Sequence, residues 1–328
     1  MRNREIILIT WIIFCLTFFS YFIVASKEII ELPKPSLVWI WTGEVLMENK
    51  TRPHETYECI KNPEISFFMY HYIRDDDIHD NSTVHNLSIP PSLFDEQMRE
   101  VAKLRDESTI SLMYGSDFIE SWKKNCFEKK KIWIFTTDDS WSDTYSHLAP
   151  IAKSYDIPFF FWAIENRVGT PGFISKKELQ ELVENPLFTL SSHSMTHSDH
   201  SKMKEEREKY EICTSKKLFE EISWKKVETY IYPSWRIGSW SIKILEECWY
   251  TLAWSTNFWE TYQQPTIHPY ILNRTRITRN TNPSFFRDIA LGKSYKQKQS
   301  PITSSEISAE EYLQVSPNQR QNGFKSNF

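Results

Sequence analysis

Pro186-Leu187-Phe188-Thr189-Leu190-Ser191-Ser192-His193-Ser194-Met195-Thr196-His197 runs from a short apolar stretch into two imidazoles four residues apart. The apolar run has the length and composition of a buried strand. Two histidines at the mouth of a strand can converge on one cation, since zinc and its neighbours accept neutral imidazole nitrogen at about 2.0–2.1 Å. Two ligands do not hold a catalytic metal. The third donor is expected upstream, where Ile132-Trp133-Ile134-Phe135-Thr136-Thr137 ends in the paired carboxylates Asp138-Asp139. A His2Asp set leaves coordination positions open for water and substrate, the pattern of a catalytic site rather than a closed structural one. Each motif alone has an ordinary reading: nine histidines will place some pair four apart, and Asp-Asp after a strand commonly caps a helix or makes a turn. Both motifs at the carboxyl ends of expected strands favour a metal.

Working outward, strand and helix patterns alternate along most of the chain. Expected strands are 65–73, 131–139, 158–164, 187–193, 227–232, 250–255 and 270–277; expected helices are 92–105, 143–155, 175–184, 202–222 and 239–248. Ser175 with Glu178 three residues on forms a capping box for one of them. Alternation of this kind predicts parallel strands with helices outside, and about seven repeats suggest a barrel, with active groups gathered at the carboxyl ends of its strands. The folded domain is expected over 64–283. Residues 284–328 read as a tail, rich in Ser, Gln, Asn and Glu after Ser300 and expected to be disordered there.

The amino terminus differs in kind. After the basic Met1-Arg2-Asn3-Arg4, Ile6 to Ala25 carries no charge, about the length that spans a ~30 Å hydrocarbon layer as a helix. With arginines before it and Lys27, Glu28 and Glu31 after, residues 1–26 are expected to form a signal anchor with the remainder on the extracytoplasmic side. Cleavage near Ala25-Ser26 is the alternative. Residues 27–63, with Pro33, Pro35, Pro53 and Pro63, read as a stem. Apart from Cys15 in the span, Cys59, Cys126, Cys213 and Cys248 can make up to two disulfides by three pairings, or remain buried thiols. Asn49, Asn81, Asn86 and Asn273 head Asn-x-Ser/Thr triplets.

The 328 residues carry a net charge of −4 and no lysine- or arginine-rich block, which argues against nucleic acid as a partner. Only seven glycines are present and no glycine-rich phosphate loop, which argues against nucleotides. Thirteen tryptophans belong mostly to a large aromatic core, while some could line a sugar cleft.

The ordered set of motifs resembles the polysaccharide deacetylase family (the NodB-homology or carbohydrate esterase family 4 domain), and most of all its poly-N-acetylglucosamine branch. Met69-Tyr70-His71-Tyr72 is similar to the opening strand of that branch; Phe135-Thr136-Thr137-Asp138-Asp139-Ser140-Trp141 is similar to Thr-Phe-Asp-Asp-Gly-Tyr. Ser192-His193-Ser194-Met195-Thr196-His197-Ser198-Asp199 is similar to Ser-His-Thr-x-x-His-Pro-Asp, and Glu211 with Ser215-Lys216-Lys217-Leu218 to the helix that follows it. Tyr230-Ile231-Tyr232-Pro233 and Arg276-Ile277 complete the series. The resemblance implies a distorted (β/α)7-type barrel behind the membrane helix. It implies that Asp139, His193 and His197 bind a divalent transition metal, zinc first, with cobalt or nickel as alternatives. Asp138 would be the general base, the Ser234 backbone N–H an oxyanion donor, and His71 a proton donor to the leaving nitrogen, with a wall residue as its plainer role. The substrate implied is a glycan bearing N-acetyl groups. Departures are also present: Thr137 and Ser140 stand for the usual Phe and Gly, no Arg precedes Pro233, and the late Leu-x-His motif is not evident. They motivate two rival readings, a non-catalytic carbohydrate-binding member of the fold and an O-acetyl esterase.

Overall fold

In a computed structural model, residues 58–75, 77, 80–255 and 268–293 are described. The expected anchor, the stem up to residue 57 and the tail after 293 lie outside the described residues, among which no helix is long and apolar enough to cross a membrane.

Ten strands follow in chain order: β1 Glu64–Tyr70, β2 Tyr72–Ile73, β3 Ser88–Ile89, β4 Ser111–Leu112, β5 Lys131–Thr137, β6 Phe159–Ala163, β7 Phe188–Ser192, β8 Thr229–Ile231, β9 Leu252–Trp254 and β10 Thr275–Arg276. The main sheet has the order β10-β1-β5-β6-β7-β8-β9, with β4 added beside the start of β5, and every pairing in it is parallel. β2 and β3 make a separate parallel pair. One stretch of chain joins the two edges of the curled sheet. Ala253 N–H donates to Pro269 O and Ser255 N–H to Leu272 O at the β9 edge, and a few residues on Thr275 and Arg276 pair with Phe68 and Met69 of β1.

The central strands β5 and β6 are apolar on both faces over 132–135 and 159–163 because both faces are covered. Period-two alternation sends Trp133 and Phe135 outward to a core shared with the helices, and Ile132 and Ile134 inward to a smaller core with Phe67, Phe160, Trp162 and Trp254. The same alternation carries Thr136 and Asp138 onto the inner face. Helix Gly115–Lys124, absent from the sequence-based expectation, closes the amino end of this interior: its Phe118 packs edge-on against Phe67 and Phe160.

Two expected helices are interrupted. The one over 143–155 begins as a π-turn at Thr144–Leu148 before α-helix Ala149–Ser154, where Pro150 has no N–H to continue the ladder. The one over 202–222 divides into Glu205–Lys209, a π-turn Tyr210–Thr214 and Ser215–Ser223. There the Ser215 hydroxyl donates to the carbonyls of Glu211 and Ile212, competing with the backbone pattern. The folded unit also continues past the boundary expected at 283, since helix Ser284–Ala290 sets Phe285 and Phe286 into the outer core. Cys59 pairs with Cys126 and Cys213 with Cys248, at Cα separations of 5.0 and 5.6 Å.

Candidate metal centre

The carboxyl end of β5 delivers two carboxylates to opposite tasks. Asp138 N–H still bonds to Tyr70 O in the manner of the sheet. Asp139 and Ser140 then both adopt left-handed backbone, with φ of 68° and 54°. Aspartate tolerates that region better than most residues. Ser140, standing where a glycine would be free of strain, is held by its hydroxyl, which donates to Trp162 O at 3.1 Å. The reversal turns the Asp139 side chain toward the end of β7.

There His193 and His197 converge. Asp139 Oδ1 lies 3.4 Å from His193 Nε2 and 3.6 Å from His197 Nε2, and one donor atom from each of the three residues lies within 4.8 Å of the others. His193 Nδ1 faces the Ile231 carbonyl oxygen of β8 at 3.1 Å. A proton on Nδ1 donates there and leaves the Nε2 lone pair directed at Asp139. The loop to His197 is built from short polar contacts: His197 N–H donates to Ser194 Oγ at 2.9 Å, Thr196 N–H to the buried Glu211 Oε2 at 2.8 Å, and Thr196 Oγ1 to Glu211 Oε1 at 2.7 Å. Trp141 Nε1 donates to Asp139 Oδ2 at 3.1 Å, which fixes the carboxylate and leaves Oδ1 aimed at the imidazoles. That Oδ1 is buried and has no hydrogen-bond partner among the described residues. An orphaned buried carboxylate oxygen between two imidazole nitrogens fits a divalent cation, which would satisfy all three donors at once. Burial alone would raise the Asp139 pKa, but the His193 contact and the charges of His193, His71 and His197 outweigh it and hold the carboxyl below its usual range. Burial, then the neighbouring His193, pushes His197 down to about 4, so it is a neutral imidazole at physiological pH. His193 is 3% exposed and His197 35%, so the centre is open on one side.

Asp138 sits beside this centre in a different environment. Arg274 grips it with two bonds, Nη1 to Oδ1 at 2.6 Å and Nη2 to Oδ2 at 2.9 Å, and Nη1 also donates to Thr136 Oγ1 at 3.0 Å. The guanidinium stacks over Trp162 at 4.7 Å. Burial works against ionisation of Asp138, yet the charge and hydrogen bonds of Arg274 prevail and keep its pKa low. His71 Nε2 lies 3.9 Å from Asp138 Oδ2, its Nδ1 is buried with no hydrogen-bond partner among the described residues, and burial lowers its pKa against the opposing pull of Asp138 and Asp139. Ser234 follows β8 by three residues in a tight 3-10 turn, Pro233–Trp235, with φ of 52° and its side chain exposed.

Five of the six residues singled out in the sequence therefore cluster, and Ser234 lies on the turn that follows the carbonyl supporting His193. Arg274 and Trp141 were missed in their roles. The only sequence signal for Arg274 is a pair of arginines two apart, Arg274 and Arg276, in a strand pattern that would bury both. His268 is at the other end of the sheet, where its Nδ1 accepts the Tyr270 N–H; Asp199 caps the turn at Ser201. Trp141 also stacks between Tyr72 and Phe173 at centroid distances of 4.7 and 4.1 Å, forming an aromatic wall beside Asp139.

The fold and these side chains together define an α/β protein with a candidate metal site at the carboxyl ends of a curled parallel sheet. Residues 124–253 match the family model described as polysaccharide deacetylase. It is 22% identical over 228 residues to the Bacillus subtilis protein YxkH, covering 69% of this chain and 76% of that one. It is 28% identical over 176 residues to the poly-beta-1,6-N-acetyl-D-glucosamine N-deacetylase of Staphylococcus epidermidis, covering 50% and 56%. The chain thus spans little more than half the length of that relative. Among solved structures it is similar to the Streptococcus pyogenes deacetylase PplD (TM-score 0.62, 24% identity, 69% of this chain and 98% of that one) and to IcaB from Ammonifex degensii (TM-score 0.58, 17% identity, 71% and 98%). At these identities the structural likeness is one of fold.

Proposed function

We propose that this chain is a metal-dependent hydrolase that removes acetyl groups from the acetamido substituents of an N-acetylhexosamine glycan, with Asp139, His193 and His197 holding one zinc, cobalt or nickel ion. The observation that carries this reading is the buried, unpartnered Asp139 Oδ1 set 3.4 and 3.6 Å from two imidazole nitrogens. A dication held there supplies Lewis acidity, lowering the pKa of water and polarising a carbonyl oxygen. Asp138, kept ionised across the neutral range by Arg274, accepts the proton of the attacking water. His71 is neutral at pH 7 and lies beside Asp138, so it can take up the proton that Asp138 removes from water and then, as imidazolium, pass it to the leaving nitrogen. The Ser234 N–H, on the turn after β8, supports the developing oxyanion. The partly exposed rings of Trp141 and Phe173 form an apolar wall beside Asp139 against which a sugar could rest. The similarity to a poly-beta-1,6-N-acetyl-D-glucosamine N-deacetylase favours that class of polymer as substrate.

The reading extends to location. Two disulfides suit an oxidising compartment, and the uncharged span 6–25 would anchor the domain on the extracytoplasmic side. The test is acetate release from chitooligosaccharides and from poly-β-1,6-N-acetylglucosamine, with zinc, cobalt or nickel and after chelation. Metal-dependent acetate is expected. Release only from O-acetylated substrates would make the protein an esterase, and no release with any metal would leave a carbohydrate-binding member of the fold.

A further inference from the structure

The end of the sheet opposite the metal centre carries the most exposed large apolar side chains among the described residues. Trp249 is 83% exposed, Trp224 80% and Leu291 57%. All three lie at the amino ends of strands. Trp224 precedes β8 and Trp249 precedes β9, and the two tips are joined by Lys216, whose Nζ donates to Val227 O at 2.5 Å and to Trp249 O at 3.2 Å. Leu291 follows Ala290, whose carbonyl accepts from Lys131 Nζ at the first residue of β5. Both tryptophans also hold left-handed backbone at the ends of helices, with φ of 53° and 59°. Such positions favour glycine and are costly for bulky residues. A side chain that is costly for its backbone and buries little in its own domain points to something outside the domain.

The surrounding charge says what that is. Lys124, Lys225 and Lys226 are exposed and make no ion pair among the described residues. The acids between them are already engaged: Glu228 with Lys123 at 2.7 Å, and Glu220 with Val227 N–H at 3.0 Å and Lys216 at 3.6 Å. A tryptophan tip flanked by free Lys225 and Lys226 matches the interface of a bilayer bearing anionic headgroups, where indole sits at headgroup depth and lysine finds phosphate, while the exposed Glu246 beside Trp249 opposes that attraction locally. The chain reaches the folded domain at this same end. Ile60 pairs with Phe127, and Glu64 N–H donates to Lys130 O, beside the first residue of β5.

We infer that this end of the domain, tipped by Trp224, Trp249 and Leu291, docks on an anionic lipid surface and holds the metal centre facing away from the membrane. The inference draws on the anchor reading of residues 6–25 and is independent of the deacetylase chemistry.

The experiment uses the full chain with Cys15→Ser, so that an introduced cysteine is the one free thiol. It is reconstituted in vesicles of phosphatidylcholine and phosphatidylglycerol, with nitroxide labels at Trp224→Cys, Trp249→Cys and, as a control on helix Ser241–Glu247 at the sheet's other end, Trp240→Cys. Collisions with oxygen should exceed those with an aqueous relaxant at 224 and 249 and not at 240. Lys225→Glu with Lys226→Glu should reduce the docked fraction at least about fivefold, since each lysine near such a surface contributes roughly 1 kcal/mol. Labels at 224 and 249 as water-exposed as that at 240 would overturn the inference. So would labels that ignore lipid but are immobilised by added chitooligosaccharide, which would make the face a glycan platform. Trp224→Gly with Trp249→Gly relaxes both backbones and should leave acetate release from a soluble substrate unchanged, so loss of docking and loss of catalysis are read separately.

Discussion

Removing the guanidinium that faces Asp138 should have a large effect of defined sign. Asp138 and Arg274 are 5% and 1% exposed and are joined by two bonds of 2.6 and 2.9 Å. Unit charges about 4 Å apart attract by about 4 kcal/mol at an effective dielectric constant near 20, and breaking a buried pair from one side typically costs about 3–5 kcal/mol because a bare charge is left behind. Arg274→Met keeps much of the volume over Trp162 and removes the charge, so the expected loss at pH 7 is about 3–5 kcal/mol. The pH dependence should invert. In the native chain the Asp138 pKa is held low, so its contribution is present above about pH 4, the ordinary aspartate value, and is lost as pH falls through the lower folded value. In Arg274→Met burial is opposed only by the weaker charges of His71, His193 and Arg276; where burial prevails the pKa rises, and stability should fall as pH climbs above about 4. Urea denaturation with disulfides intact, at a series of pH values, reads both effects. Adding Asp138→Asn should recover most of the loss. A cost below about 1 kcal/mol with an unchanged pH profile would refute this reasoning.

Asp143 is the opposite case: burial raises its pKa to about 6 although it accepts the Ile73 N–H. Its folded pKa is above the unfolded one, so stability falls as pH rises from about 4 to about 6, by roughly 3 kcal/mol; Asp143→Asn should remove that slope in urea titrations at the two ends of the window. Trp141→Phe keeps the aromatic stack and deletes the N–H that orients Asp139, so zinc affinity measured against a chromophoric chelator should drop about 10- to 100-fold. A Cβ on Gly115 would lie 2.6 Å from Thr189 Cβ, so Gly115→Ala should cost about 1–3 kcal/mol by urea denaturation, and adding Thr189→Gly, which removes that Cβ, should recover part of the loss.

What the sequence made legible follows from how local its causes are. The runs at 132–135 and 159–163 are apolar on both faces, as a sheet covered on both sides favours, 188–192 is apolar on one face only, and Ser175 with Glu178 marks its helix start unaided. The Asp-Asp and His-x-x-x-His motifs each lie within a few residues of a strand end, so parallel topology alone brings them together. Arg274 could not be assigned this way: it meets Asp138 across 136 residues of chain, and only the joining of the sheet's edges places it. The helix Gly115–Lys124 has two fully buried large side chains and no side-chain cap, too little for periodicity to reveal. The breaks in the helices over 143–155 and 205–223 come from Pro150 and Ser215, whose effects depend on where the turn begins.

Zinc titration of the purified chain tests the central claim most directly. The wild type and Asp138→Asn should each bind one equivalent, the latter without turnover, while Asp139→Ala, His193→Ala and His197→Ala should each bind far more weakly. A wild-type chain that takes up no zinc, cobalt or nickel, or an Asp139→Ala chain that binds as tightly as the wild type, would contradict it.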